Sequence, residues 1–87
     1  MSTKFKKDLK KAGKGKNNDL IRATLKLLQA KGIKGIPKRM NPHKLKGDYK
    51  DNWEFHIKPD LLIICLQFES PNVIKLIRVG SHSELFK

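Results

Sequence analysis

The run Leu61-Leu62-Ile63-Ile64-Cys65-Leu66, extended by Gln67-Phe68, most limits what this chain can become. It is far shorter than the roughly 18 apolar residues of a membrane span and reads as a central β-strand. Such a strand needs neighbours. Upstream, Trp53, Phe55 and Ile57 alternate with Glu54, His56 and Lys58, the period-two pattern of a strand with one buried face. That pattern places His56 on the polar face. Pro59-Asp60 makes the intervening turn, and Glu69-Ser70-Pro71-Asn72 reads as a hairpin connection to a third strand over Val73–Val79.

Two helices precede the strands. From Lys4 to Lys11 the chain is lysine-rich, yet Phe5, Leu9 and Ala12 recur at helical spacing and form a narrow apolar stripe. Gly13-Lys14-Gly15-Lys16 breaks this helix. Asn17-Asn18-Asp19 then offers capping side chains ahead of Leu20, Ile21, Thr24, Leu25, Leu27 and Leu28, whose broader stripe runs to about Lys31 before Gly32. Residues 33–50 hold two prolines, two glycines and no sustained period, and read as a long basic loop. The expectation is an α+β fold in one domain over residues 1–87. Two N-terminal helices pack on a small antiparallel sheet of three to four strands, leaving the other sheet face for a substrate.

Charge narrows the partner. The chain has 87 residues, 20 Lys and Arg against 8 Asp and Glu, and a formal charge of +12. The surplus lies in residues 1–50, with 16 cations against Asp8, Asp19 and Asp48, whereas all three histidines lie beyond residue 42. Clustered cations gain affinity for polyanions by releasing counterions, so a nucleic acid is the expected partner. Within the loop, Lys34, Lys38, Arg39, Lys44 and Lys46 are candidate RNA contacts. The single cysteine, Cys65, allows no internal disulfide and falls in the central strand, consistent with a core residue in a reducing compartment. With no membrane span and no signal-peptide core, the expected location is the cytoplasm.

The chain ends in Arg78-Val79-Gly80-Ser81-His82-Ser83-Glu84-Leu85-Phe86. Leu85 and Phe86 imply that this end packs back onto the body, which would hold Arg78 and His82 in place. A guanidinium grips phosphate as a planar, permanently charged fork, and an imidazole exchanges protons near neutral pH. Cleaving RNA through its own 2′-hydroxyl needs a base, an acid for the leaving 5′-oxygen and a cation for charge on phosphorus. His43, His56, Asp60, Arg78 and His82 cover these needs without a cofactor. A zinc site fits poorly, because histidine spacings of 13 and 26 residues match no compact ligand pattern.

Three blocks of sequence resemble one family. His43-Lys44-Leu45-Lys46-Gly47, Glu54-Phe55-His56-Ile57-Lys58-Pro59-Asp60 and the terminal Arg78–Phe86 stretch are similar, in order and spacing, to the RelE/YafQ-like toxins of bacterial type II toxin–antitoxin systems, and most to the YafQ-like branch. The resemblance implies a RelE-like fold and a metal-independent, ribosome-dependent mRNA endoribonuclease without cofactor. A cognate antitoxin protein would neutralise it, and operator DNA would be met only through the antitoxin complex. It also implies that His43, His56, Asp60, Arg78, His82 and Phe86 line the active site. His82 follows Arg78 by four residues across a Gly-Ser bend, so both can reach one phosphate, and His82 is the expected general acid, with Phe86 a ring to stack on a base. Asp60 would orient an imidazole or act as base. The chain departs from the family pattern at Asn52, Phe55, Leu61 and Cys65, and only Met1-Ser2-Thr3 stands where members carry a fuller first strand, so a missing or very short edge strand is expected.

Residue by residue, blander readings exist: His56 as a surface histidine, Arg78 as a sheet-edge cation, Phe86 as core. The competing functions are a non-catalytic basic RNA-binding module and a catalytically weakened toxin homologue. A membrane-surface role for the first helix is disfavoured, since Phe5, Leu9 and Ala12 bury little area.

Overall fold

The computed structural model describes residues 3–69 and 72–86. Its first helix, α1 (Thr3–Ala12), buries Phe5 completely and packs Leu9 and Ala12 beside it, so the sparse apolar stripe suffices to dock a lysine-rich helix. The second, α2 (Lys16–Lys31), buries Ile21, Thr24 and Leu28. Thr24 sits there without an unpaired hydroxyl because its Oγ1 donates to the Leu20 carbonyl at 2.8 Å. Its start differs from the sequence expectation. Gly15 is the cap residue and no side chain caps the helix, since Asn17, Asn18 and Asp19 already lie inside its first turn. At the other end Gly32 adopts φ 69°, its N–H closing on the Leu28 carbonyl at 2.7 Å. The next amide, Ile33, donates to Gln67 Oε1 at 3.0 Å, fastening the helix end to the sheet. A Cβ at position 32 would stand 3.2 Å from that same oxygen.

The sheet has four antiparallel strands in the order β1-β2-β3-β4: β1 (His43–Lys44), β2 (Trp53–Lys58), β3 (Leu61–Glu69) and β4 (Asn72–Gly80). Strands β2, β3 and β4 match the expected meander. Ser70 and Pro71 of the expected hairpin connection lie outside the described residues. The stretch read as an unstructured loop is more ordered than its composition implied. It contains single 3₁₀ turns at Ile33–Gly35, Lys38–Met40 and Gly47–Tyr49, and it supplies β1, which pairs His43 with Glu54 and Lys44 with Trp53. The short edge strand therefore comes from mid-chain. The Leu45 amide donates to the Asn52 carbonyl at 2.8 Å and closes that pairing.

Alternation along the strands sorts two cores. Phe55, Leu61, Ile63, Cys65 and Val79 join Phe5, Ile21 and Leu28 under the helices. Leu62 and Ile64 form a smaller cluster with Leu85 on the opposite face, covered in part by Leu45, Tyr49, Ile77 and Phe86. Each fully buried side chain of Leu, Ile or Phe size contributes about 1.5–3 kcal/mol. The expectation that this second face would be left to a substrate holds only in part, because the C-terminal helix α3 (His82–Leu85) and Tyr49 lie over it.

Cys65 is completely buried, and burial pushes its thiol up to about 12. Alkylation at pH 8 should spare the native protein and go to completion in denaturant, as mass spectrometry will show. The unfolded chain releases the thiol proton well below the folded one. The thiol's contribution to folding stability is therefore unchanged below about pH 9 and falls as pH rises from there toward 12, by up to ~1.4 kcal/mol per unit. Cys65→Ala should abolish this alkaline slope in denaturation midpoints.

Candidate active site

The pairing of His43 with Glu54 brings two of the three histidines to one carboxylate. Glu54 is only 4 % exposed, and its Oε1 lies 3.1 Å from His56 Nε2 and 3.6 Å from His43 Nε2. Glu54 and His56 are two residues apart on β2 and so share a face. A carboxylate oxygen accepts, so His56 donates from Nε2 and its Nδ1 remains available. The His43 ring is fixed from its far side, where Nδ1 donates to the Asn41 carbonyl at 2.7 Å. Asn41 takes the left-handed conformation, φ 51° and ψ 57°, turning the chain into β1. That leaves His43 Nε2 facing Glu54 at ion-pair distance when the ring is protonated.

Arg78 comes from β4, in register with Ile64 of the second core. Its guanidinium is held by Asp8 of α1, with Nε donating to Oδ2 at 2.5 Å and Nη2 to Oδ1 at 3.1 Å. The Val79 amide also donates to Asp8 Oδ2, at 3.2 Å. The hydrogen bond with Asp8 raises the guanidinium above its ordinary value; partial burial works against this, and the Asp8 charge and the Tyr49 phenol reinforce it.

The terminal block is built as a short capped helix. Ser81 caps α3 by a reciprocal capping box: the Glu84 amide donates to Ser81 Oγ, and the Ser81 amide donates to Glu84 Oε1 at 3.0 Å. His82 then occupies the first helical position, exposed, with its ring centroid 4.6 Å from that of Phe86 at a tilt of 30°. Phe86 in turn meets Tyr49 edge-on at 5.6 Å. One chain of ring contacts thus runs from His82 through Phe86 to Tyr49.

Asp60 stands apart. It is exposed in the β2–β3 turn and lines a groove of about 530 Å³ with Lys11, Lys14, Asn17, Lys58 and Ser81. The carboxylate that orients an imidazole is Glu54, not Asp60. The candidate RNA contacts Lys34, Lys38, Arg39, Lys44 and Lys46 are all exposed, and Lys44 Nζ lies 5.7 Å from the centre of the Trp53 ring. Sequence reading passed over Glu54, Asp8 and Tyr49. Glu54 had a signal, an acid two residues from a histidine on the polar side of an alternating strand, but its burial depends on what covers that face.

The architecture is the RelE-like fold: helices on one face of a four-stranded antiparallel sheet, with histidines, an arginine and a C-terminal aromatic gathered toward the other. The family model described as "Bacterial toxin of type II toxin-antitoxin system, YafQ" matches residues 1–87, and the chain belongs to that family. Among solved structures it is similar to YafQ from E. coli strain BL21(DE3), at 25 % identity and TM-score 0.88 over 99 % of this chain and 93 % of that one. A metal-bound toxin from Helicobacter pylori is 40 % identical, with TM-score 0.82 over 98 % of this chain and 93 % of the other. The E. coli DinJ-YafQ complex matches at 25 % identity and TM-score 0.83, covering 99 % and 93 %. No curated protein sequence matches.

Among the described residues no group of three His, Cys, Asp or Glu is disposed to hold a metal ion. Also among the described residues, no helix is long and apolar enough to cross a membrane.

Proposed function

We propose that this chain, as one domain over residues 1–87, is a ribosome-dependent mRNA endoribonuclease of a type II toxin–antitoxin system, acting in the cytoplasm with its own side chains as the only catalytic groups. The observation that carries the reading is the Glu54-centred pair of histidines on the sheet face that Tyr49, Phe86 and α3 partly cover, with Arg78 on the strand position in register with Ile64 of that face. Family membership supports the toxin class, and the DinJ-YafQ complex supports a cognate antitoxin for this chain as well. An acidic antitoxin segment suits a chain of charge +12 by complementarity.

His56, oriented through Nε2 by Glu54, takes the 2′-hydroxyl proton at Nδ1. The freed 2′-oxygen attacks phosphorus, and the bond from phosphorus to the 5′-oxygen breaks. His82 gives its proton to the departing 5′-oxygen, leaving a 2′,3′-cyclic phosphate and a 5′-hydroxyl. Arg78 stabilises the charge gathering on the phosphoryl oxygens, as oriented donors do in such transition states. His43, with Nδ1 on the Asn41 carbonyl and Nε2 facing Glu54, steadies the carboxylate that orients His56, and Phe86 offers a ring for base stacking, worth about 1–3 kcal/mol. Lys34, Lys38, Arg39, Lys44 and Lys46 hold the RNA backbone and ribosomal RNA.

Asp60, in its groove beside Ser81, contacts the substrate next to His82 rather than serving the His56 pair. The test is a defined message incubated with the protein, with and without ribosomes, followed by mapping of product ends. New fragments with 2′,3′-cyclic or 3′-phosphate termini are expected, with ribosomes required. Intact message under both conditions would rule the nuclease out.

A further inference from the structure

Helix α1 carries Lys4, Lys6, Lys7, Lys10 and Lys11 and a single acid, Asp8. On a helix this rich in lysine, one carboxylate turned inward calls for a reason. We propose that Asp8 is a positioning residue that aims the Arg78 guanidinium at the scissile phosphate, an inference resting on the nuclease reading above. Asp8 and Arg78 lie 70 residues apart, and their side chains are only 14 % and 21 % exposed. Both carboxylate oxygens are engaged by the guanidinium, and Oδ2 also accepts the Val79 amide, so the carboxylate is fixed to the strand that carries Arg78.

The donor count explains how this helps. Arginine has five N–H donors in one plane. Asp8 takes the Nε hydrogen and one Nη2 hydrogen, on one edge of the fork. Asp8 leaves both Nη1 hydrogens and the second Nη2 hydrogen, and one hydrogen from each of these two nitrogens forms the end edge, which can receive two phosphate oxygens side by side. Asp8 therefore leaves the phosphate-binding edge open while setting the plane in which it points. A long side chain that would otherwise lose rotamer freedom on binding is ordered beforehand. The alternative is that the pair merely pins α1 to the sheet, or that Asp8 withholds Arg78 from phosphate.

The discriminating experiment combines kinetics with a double-mutant cycle. Asp8→Asn should lower kcat about 10- to 100-fold, the scale for a misaimed catalytic group, with KM changed no more than about twofold. Asp8→Glu, which keeps two carboxylate oxygens, should recover part of the loss and serves as the second variant if Asp8→Asn folds poorly. On an Arg78→Lys background, where no fork remains to be aimed, Asp8→Asn should cost less than about twofold. A merely structural role predicts lower unfolding midpoints with unchanged kcat and equal losses on both backgrounds, and a withholding role predicts a faster Asp8→Asn enzyme; either overturns the proposal.

A second readout does not depend on turnover. In the parent chain the Arg78 Nε–H resonance should be sharp and should shift on adding an oligonucleotide with a 2′-deoxy scissile residue. In Asp8→Asn it should broaden and lose that shift. A parent that fails to cleave yet shows this behaviour would sink the nuclease reading and keep the positioning role. A parent that cleaves while the resonance and kcat ignore Asp8 would do the reverse.

Discussion

Replacing His82 by alanine is expected to lower RNA cleavage by about 10²–10⁴-fold, the usual contribution of a positioned general acid, and to leave the fold in place. His82 is exposed at the first position of α3, and the Ser81–Glu84 capping box that forms this helix does not involve its side chain. Its ring is oriented by stacking on Phe86, itself set edge-on against Tyr49. Stacking fixes a ring while leaving both nitrogens open to a substrate. Removing an exposed imidazole should shift stability by about 0.5 kcal/mol or less. The check is a single-turnover cleavage rate alongside a urea unfolding curve. Full activity in the folded variant would remove His82 from the reaction.

The larger elements could be read from the sequence because each writes its own period. Phe5, Leu9 and Ala12 predicted α1, and the alternation from Trp53 to Lys58 predicted β2 with His56 on its polar side. Those signals are local, and each needs only a few neighbouring residues to show. What stayed hidden depends on contacts between distant segments. β1 is two residues long and has no period to display; it exists because His43 and Lys44 find Glu54 and Trp53 across a turn. Asp8 reads as one acid in a basic helix until α1 lies along β4 and meets Arg78.

Family resemblance pointed to candidate residues, but not to their grouping. Asp60 was expected to orient an imidazole or act as base, whereas the strand end carries Asp60 out to a groove beside α3 and Glu54 accepts from His56. Capping was misread for a related reason. Asn17, Asn18 and Asp19 have suitable side chains, but the helix had already begun at Lys16 after Gly15, whose φ of 62° suits glycine.

Replacing Glu54 by alanine is expected to damage both activity and stability, unlike the change at His82. Its carboxylate is buried and holds His56 at hydrogen-bond distance while facing His43 from across the β1–β2 pairing. Truncation leaves the half-buried His56 Nε2 without its acceptor and takes the ion-pair partner from His43. A lost hydrogen bond to a charged group costs about 1.5–3 kcal/mol, and the loss should appear as a lower unfolding midpoint. Two imidazoles then lose their orientation together, so cleavage should fall about 10²-fold or more even at temperatures where the variant is fully folded. Glu54→Gln separates the two contributions. The amide oxygen can still accept from His56, so most of the stability should return, but without the negative charge the His43 arm is not restored and activity should recover only in part. If Glu54→Gln cleaves as fast as the parent, the carboxylate acts on His56 by hydrogen bonding alone. If Glu54→Ala retains both rate and midpoint, Glu54 has no part in holding the histidines, and the assignment of His56 as base loses its support.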